Sequence, residues 1–398
     1  MLARLRLLFG RVWYLPRGFR LRLPGHLHRG GAVPVSGEAG PRSGEAGLTV
    51  GLRRALHAFG ALAWIVALQG CGPAFEGQPA AEFVDAGYVT AINDLVPAGT
   101  SPGERMRIVA TTNIVGDVVT NVGGAAIDVT VLLPSGADPH GYVATPRELA
   151  EASEASLLFL SGFGLEEGMG GTLEQLAVDV PIVTISEGVQ GIPLAERAQG
   201  LAQEGEESGG EEPGAGEQPQ DGGGVDPHVW FDPAMVMQWT QNAAAALSAR
   251  DPANQKTFQA NADAYVGALR SLDAWIEDSL AAIPPAQRVL VTDHFVFGYF
   301  AQRYGFEVVG AVIPAYSSSA SPSPQDLADL LGAIEEHGVK AVFVGLSANA
   351  DAAQAAARDA GIQVVPLYTE SLGDAGGPAA SYLAMMEYNV NAIVEALR

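Results

Sequence analysis

From residue 107 onward, short apolar runs alternate with stretches of helical spacing. Runs at Arg107–Thr112, Ile127–Leu133, Leu157–Ser161 and Ile182–Ser186 have the length and composition of buried strands. Helical patterns begin near Thr145 and near Leu165. The second half repeats the scheme, with strands at Arg288–Thr292, Glu307–Val312, Ala341–Leu346 and Gln363–Leu367. Helices are predicted near 297–304, 324–337, 349–360 and 379–397, and Ser323, Pro324 and Asp326 form a start signal for one of them. Alternation of this kind implies parallel sheets with helices on their faces.

Between the halves, Phe258, Tyr265, Leu269, Leu272, Ile276 and Leu280 recur at steps of three, four and seven, one face of a helix. A helix from Pro252 to about Ala281 would be roughly 45 Å long at 1.5 Å per residue. That length suits a rigid strut. The predicted fold class is therefore α/β, with two lobes, each a parallel sheet with flanking helices, joined by one long helix. The boundaries are an N-terminal lobe over 105–250, a linking helix over 251–283 and a C-terminal lobe over 284–398. Residues 190–225 break the pattern, being rich in Gly, Glu, Gln and Pro with almost no apolar residue after Leu201. Their composition predicts a disordered acidic loop.

The net charge of −23 argues against a nucleic-acid partner, because phosphates need a basic face. The charge is uneven. Residues 1–70 carry ten arginines and only two acids, Glu38 and Glu45. Arg53 and Arg54 precede an apolar run, Ala55–Leu68, of signal-peptide length and too short for a comfortable membrane span. Leu68–Gln69–Gly70–Cys71 then resembles a bacterial lipobox, and Cys71 is the sole cysteine. This reads as a leader with a lipoprotein signal over 1–71 and a tether over 72–104, with lipidated Cys71 holding an exported protein to the membrane. A lone cysteine also excludes an internal disulfide.

Asp-Pro-His occurs twice, at Asp138–His140 and Asp226–His228, in a chain with 7 histidines. Proline fixes its own φ and restricts its predecessor, so each histidine is presented from stiffened backbone. His294 follows the predicted strand 288–292, and Glu370 follows strand 363–367. Ligands of open α/β sheets bind beyond the carboxyl ends of strands. Three imidazoles and one carboxylate complete a tetrahedral set for Zn²⁺ or a similar ion. His26, His28 and His57 lie in the leader, and His337 sits at a predicted helix C-terminus, where the helix dipole accounts for it.

The mature part resembles the substrate-binding proteins of bacterial zinc and manganese ABC transporters. The resemblance rests on Asp138–Pro139–His140–Gly141–Tyr142 with Thr145–Pro146, on Asp226–Pro227–His228–Val229–Trp230–Phe231–Asp232–Pro233, on His294 ahead of Phe297–Phe300, and on an acid before Leu372. It covers about 105–398. It implies metal capture between the lobes by His140 and His228 from the first and His294 and Glu370 from the second. It further implies hand-over to a membrane permease, a small closing motion, and turn-forming or outer roles for Asp138 and Asp226. Histidine in third place resembles the zinc group, where glutamate marks the manganese group, so Zn²⁺ is the expected metal and Mn²⁺ the alternative.

The chain departs from the family at Val143–Ala144, where Glu-Pro is common, and at Gly345, often Glu. It has Glu370 where the family has Asp, which leaves Asp374 as a rival ligand, and its acidic loop lacks the histidines common in zinc importers. The expected product is an extracytoplasmic, monomeric, non-enzymatic metal carrier. A zinc hydrolase with Glu370 as general base is one rival, although no HExxH motif is present. A surface adhesin on the same scaffold is another.

Overall fold

Parallel strand pairing organises each half of the chain in the same way. The computed structural model describes residues 87–99, 103–194, 224–346 and 351–398. The leader, Cys71 and most of the acidic stretch lie outside the described residues. In the first half, β1 (Met106–Ala110), β2 (Ile127–Val131), β3 (Leu157–Leu160) and β4 (Ile182–Thr184) form a sheet of order β2-β1-β3-β4. In the second, β5 (Val289–Thr292), β6 (Glu307–Ala311), β7 (Ala341–Gly345) and β8 (Gln363–Leu367) repeat it as β6-β5-β7-β8. Every pairing is parallel, with a register shift at Leu290/Val291 in the β5–β6 pair. All eight predicted strands are present, and the fold class is as the pattern implied.

The helices are α1 (Asn113–Gly123), α2 (Pro146–Ala152), α3 (Gly170–Leu176), α4 (Pro233–Arg250), α5 (Gln255–Leu280), α6 (Gly298–Tyr304), α7 (Pro324–Glu336), α8 (Asp351–Ala360) and α9 (Tyr382–Leu397). Local chemistry fixes several starts. Thr145 with Glu148 caps α2 and Ser323 with Asp326 caps α7, each reciprocally and with proline at the first helical position. The long helix is α5, and a 3₁₀ turn at Pro252–Asn254 sets its start later than the sequence pattern placed it. The patterned helix near Leu165 also begins later, as a 3₁₀ turn followed by α3.

One core joins the halves. Phe258, Tyr265, Leu269, Leu272, Ile276 and Leu280 of α5 are buried in the same cluster as Ile108 and Phe159 of the first sheet and Leu290 and Phe343 of the second. α4, α1 and α9 pack on α5, so the strut is a bundle. Smaller apolar clusters cover the outer face of each sheet.

Two segments expected to be loose are anchored. Residues 88–98 of the predicted tether lie on the first half. Thr90 N–H donates to Ile182 O at 2.7 Å, Ile92 is buried, and Arg250 Nη1 donates to Val96 O at 2.5 Å. The acidic stretch is pinned at its base, where Pro193 bridges to Val225 and Asp226 N donates to Ile192 O at 2.9 Å. Among the described residues, no helix is long and apolar enough to cross a membrane.

Because the core is shared, Leu269→Ala should lower stability by about 2–5 kcal/mol, as expected of a large-to-small change at a fully buried site. Urea unfolding followed by circular dichroism should keep a single transition with an earlier midpoint. Two separated transitions would contradict the shared core.

Candidate metal centre

His140, His228, His294 and Glu370 come together at one point between the two halves. Their ligand atoms all lie within 4.8 Å of one another, and all four residues are buried. His140 Nε2 is 3.3 Å from His228 Nε2, and Glu370 Oε1 is 3.5 Å from His228 Nε2 and 3.2 Å from His294 Nε2. A tetrahedron with bonds of about 2.0–2.1 Å has edges of about 3.3–3.4 Å, close to these separations. Asp374, the rival for the fourth place, is exposed and stands outside the cluster. His337 caps the C-terminus of α7, away from the centre.

Each of the three histidines is presented by its own backbone turn. Past β2, Leu132 and Leu133 continue the pairing with Ala110 O and Thr111 O, and the chain then turns so that Asp138 Oδ1 accepts from His140 N at 3.0 Å. Asp226 Oδ1 likewise accepts from His228 N at 3.0 Å, and here it also lies 2.8 Å from His228 Nδ1. A carboxylate oxygen accepts, so Nδ1 is the donor in this contact and Nε2 is left facing the centre. Asp293 does the same for His294, with Oδ1 at 2.9 Å from its N and 3.2 Å from its Nδ1. Thr292 Oγ1 donates to His294 O at 2.6 Å.

The supporting groups explain Gly345. Its N–H donates to Asp293 Oδ2 at 2.9 Å, fixing the carboxylate that orients His294. A Cβ there would meet Thr369 Oγ1 at 2.2 Å and Asp293 Oδ2 at 3.1 Å. Thr369 thus fills the space that a side chain at 345 would need. Behind His140, the turn after β3 approaches closely. Gly168 N donates to His140 O at 3.2 Å, and a Cβ at Gly168 would meet Tyr142 O at 2.6 Å. That turn carries Phe163 at φ 56°, an unusual conformation for a bulky residue. Buried Glu166 ties it down, accepting from Thr111 Oγ1 at 2.6 Å and Ser161 N at 2.7 Å.

Asp293, Thr369, Glu166 and Glu167 were not identified from sequence as parts of the site, whereas Gly345 was marked there as a departure from the family. Only Asp293 carried a usable signal, as an acid directly before a candidate ligand.

The halves are also bonded across the site. Trp230 Nε1 donates to Thr369 O at 3.0 Å, Tyr382 OH to Trp230 O at 2.7 Å, and Tyr299 OH to Asp226 O at 2.8 Å. Asn113 bridges to Ser371 Oγ and Leu372 N. Arg303 pairs with Asp273 of α5 and, at 3.2 Å, with Asp232, which caps α4.

The electrostatics are those of a primed ligand set. Burial holds the His140 imidazole down to about 3, against the pull of the Glu370 charge, so it is neutral. Burial also opposes the charge on His294, but its hydrogen bonds to Asp293 and Glu370 and the charges of both carboxylates raise it to about 10. Burial disfavours the Glu370 charge, yet the surrounding imidazoles hold it down to about 2. Glu370 Oε1 meets only the imidazole nitrogens of His294 and His228, and its buried Oε2 has no hydrogen-bond partner. Buried polar atoms without partners are costly, and an incoming cation would satisfy these.

The sequence profile described as "ZnuA: Zinc-uptake complex component A periplasmic" matches residues 108–396. The chain is 31% identical over 301 residues to the "Manganese-binding lipoprotein MntA" of Halalkalibacterium halodurans, covering 75% of this chain and 91% of that protein. It is 28% identical over 305 residues to the "Iron ABC transporter substrate-binding lipoprotein MtsA" of Streptococcus pyogenes, again 75% and 91%. The periplasmic zinc binding protein TroA from Treponema pallidum superposes with a TM-score of 0.63 at 27% identity, over 74% of this chain and 99% of that chain. The chain belongs to the family of the zinc-uptake component A profile.

In metal-free protein, imidazole ¹⁵N NMR should find His294 doubly protonated at pH 8 and His140 neutral at pH 5. The raised value of His294 contributes stability that is full below about 6.5 and lost as pH rises through about 10. The lowered value of Glu370 contributes stability that is present above about 4.5 and lost as pH falls through about 2. A neutral His294 at pH 8 would contradict this charge pattern.

Proposed function

We propose that this protein captures a divalent transition metal, with Zn²⁺ the best fit, and delivers it to the membrane permease of an ABC transporter. His140, His228, His294 and Glu370 are the ligands. The carrying observation is the convergence of these four buried donors from both halves within 4.8 Å. Three imidazole nitrogens and one carboxylate suit Zn²⁺, and the separations near 3.3 Å fit its tetrahedral bonds. Family membership and the lipoprotein names of the relatives support an extracytoplasmic carrier anchored through lipidated Cys71.

A binding role fits better than hydrolysis. A zinc hydrolase keeps a position open for water, whereas four protein donors already make a full tetrahedral shell. Glu370 stands as close to His294 as His140 does to His228, the place of a ligand and not of a base held off behind a water. Mn²⁺ is the second reading, favoured by the manganese-binding relative at 31% identity.

Chelator competition should give one tight site per chain, with Zn²⁺ preferred to Mn²⁺. The reverse preference would select the manganese reading, and no tight site would sink both. Asp226→Asn, which removes the carboxylate from His228 Nδ1, should weaken binding by about 10–100-fold. His294 must also release its proton on binding. Zn²⁺ affinity should therefore rise by about tenfold per pH unit between pH 6 and 9, beyond any change from the chelator itself.

A further inference from the structure

The two Asp-Pro-His tripeptides are identical in sequence but not in their contacts. In both, the aspartate accepts from the backbone N–H of the histidine at 3.0 Å. Asp226 also takes the ring Nδ1 of His228 at 2.8 Å. Asp138 does not do this for His140. Its second oxygen is bound by Ser318 Oγ, from the strap that follows β6 in the opposite half. The carboxylate facing His140 Nδ1 is instead that of Glu167, whose Oε1 lies 3.8 Å away. That same Oε1 accepts from Ser317 Oγ, on the same strap. Of the three histidines, His140 alone therefore lacks a close carboxylate on Nδ1, and both acids that could supply one are held by adjacent serines of the other half.

We infer that Glu167 is the positioning residue for His140 and that the Ser317–Ser318 strap governs it. The inference rests on the metal-binding reading of the site. Ser317 holds Oε1 close while His140 Nδ1 stays 3.8 Å from it, so the imidazole has the weaker contact. A shift of less than about 1 Å brings 3.8 Å to hydrogen-bond distance. The Glu167 side chain is half exposed and free to make that move. A carboxylate on Nδ1 fixes the ring and raises the basicity of Nε2, so it tightens the metal bond. While the strap holds Glu167 back, His140 is the weakest of the three nitrogen ligands and the first to let go. Displacement of the strap then changes the grip on the metal without moving either half.

The test is a double-mutant cycle on the full folded chain, with Zn²⁺ affinity from chelator competition and Zn²⁺ release from stopped flow. Glu167→Gln should lower affinity by about 10–100-fold, and Glu167→Asp should recover part of it. Ser317→Ala should slow release, because Glu167 is freed to close on His140. The slowing should vanish in the double variant. In the Zn²⁺-loaded protein, the Nδ1–H proton resonance of His140 should lose its downfield position in Glu167→Gln, while that of His294 stays in place. Unchanged affinity in Glu167→Gln, unchanged release in Ser317→Ala, or a Ser317→Ala effect that persists without Glu167 would each overturn the inference. Failure of the wild-type protein to take up Zn²⁺ would instead overturn the metal reading beneath it.

Discussion

Everything in this fold answers to one costly arrangement, three imidazoles and a carboxylate buried within 4.8 Å of one another. Glu370 Oε1 meets only imidazole nitrogens, and its buried Oε2 has no hydrogen-bond partner. Burial of such groups costs about 1–3 kcal/mol each, and more for charged ones. A flexible protein would relax the cost away by turning the side chains out to water. Here the turns resist that, because the side chains of Asp226, Asp293 and Asp138 each accept from the backbone N–H of a histidine. The unmet valence is thereby kept available for a cation.

The rigidity has a source in packing. The ligands come from two sheets, and two independently folded lobes would let them drift apart. The shared core prevents this. α5 supplies one continuous apolar face to both sheets, and α4, α1 and α9 thicken it into a bundle. Around the site, Trp230, Tyr299 and Tyr382 each donate to a carbonyl of a neighbouring segment, so the polar ring is bonded across the boundary as well.

Much of this was legible in the sequence, and the rest fails for physical reasons. Strands were legible because a fully covered parallel strand is a short apolar run, and all eight stand out against polar connections. The long helix was legible because α5 has one buried face. α4 was not, since alanines stand on its buried face (Ala243, Ala246) and its exposed face (Ala245) alike and blur the stripe. α1 was not, since its four valines, isoleucine and threonine have modest helix propensity and it contains two glycines. There tertiary burial decides. The four candidate site residues were legible because proline spacing and strand ends mark them. The fit of Thr369 into the space beside Gly345 was not, because that complementarity is steric and exists only once β7 lies beside β8. The strap's hold on Asp138 spans 180 residues and has no local pattern at all.

A binding protein that hands on its cargo must also lose it, and a shared core makes large opening of the halves expensive. Separating them would expose the aromatic cluster of Trp230, Phe231 and Phe297 and break the cross-boundary hydrogen bonds together. Each fully buried aromatic or aliphatic side chain contributes about 1.5–3 kcal/mol, so even a few put such opening out of reach of thermal fluctuation. Smaller motions remain. The ligand turns lie at the carboxyl ends of strands, outside the sheets, and they are held by individual hydrogen bonds of about 0.5–1.5 kcal/mol each. A change confined to one turn costs less than a change in the core by an order of magnitude. Metal exchange in this architecture is therefore a property of its loops, while the halves serve as the fixed frame against which a loop can move.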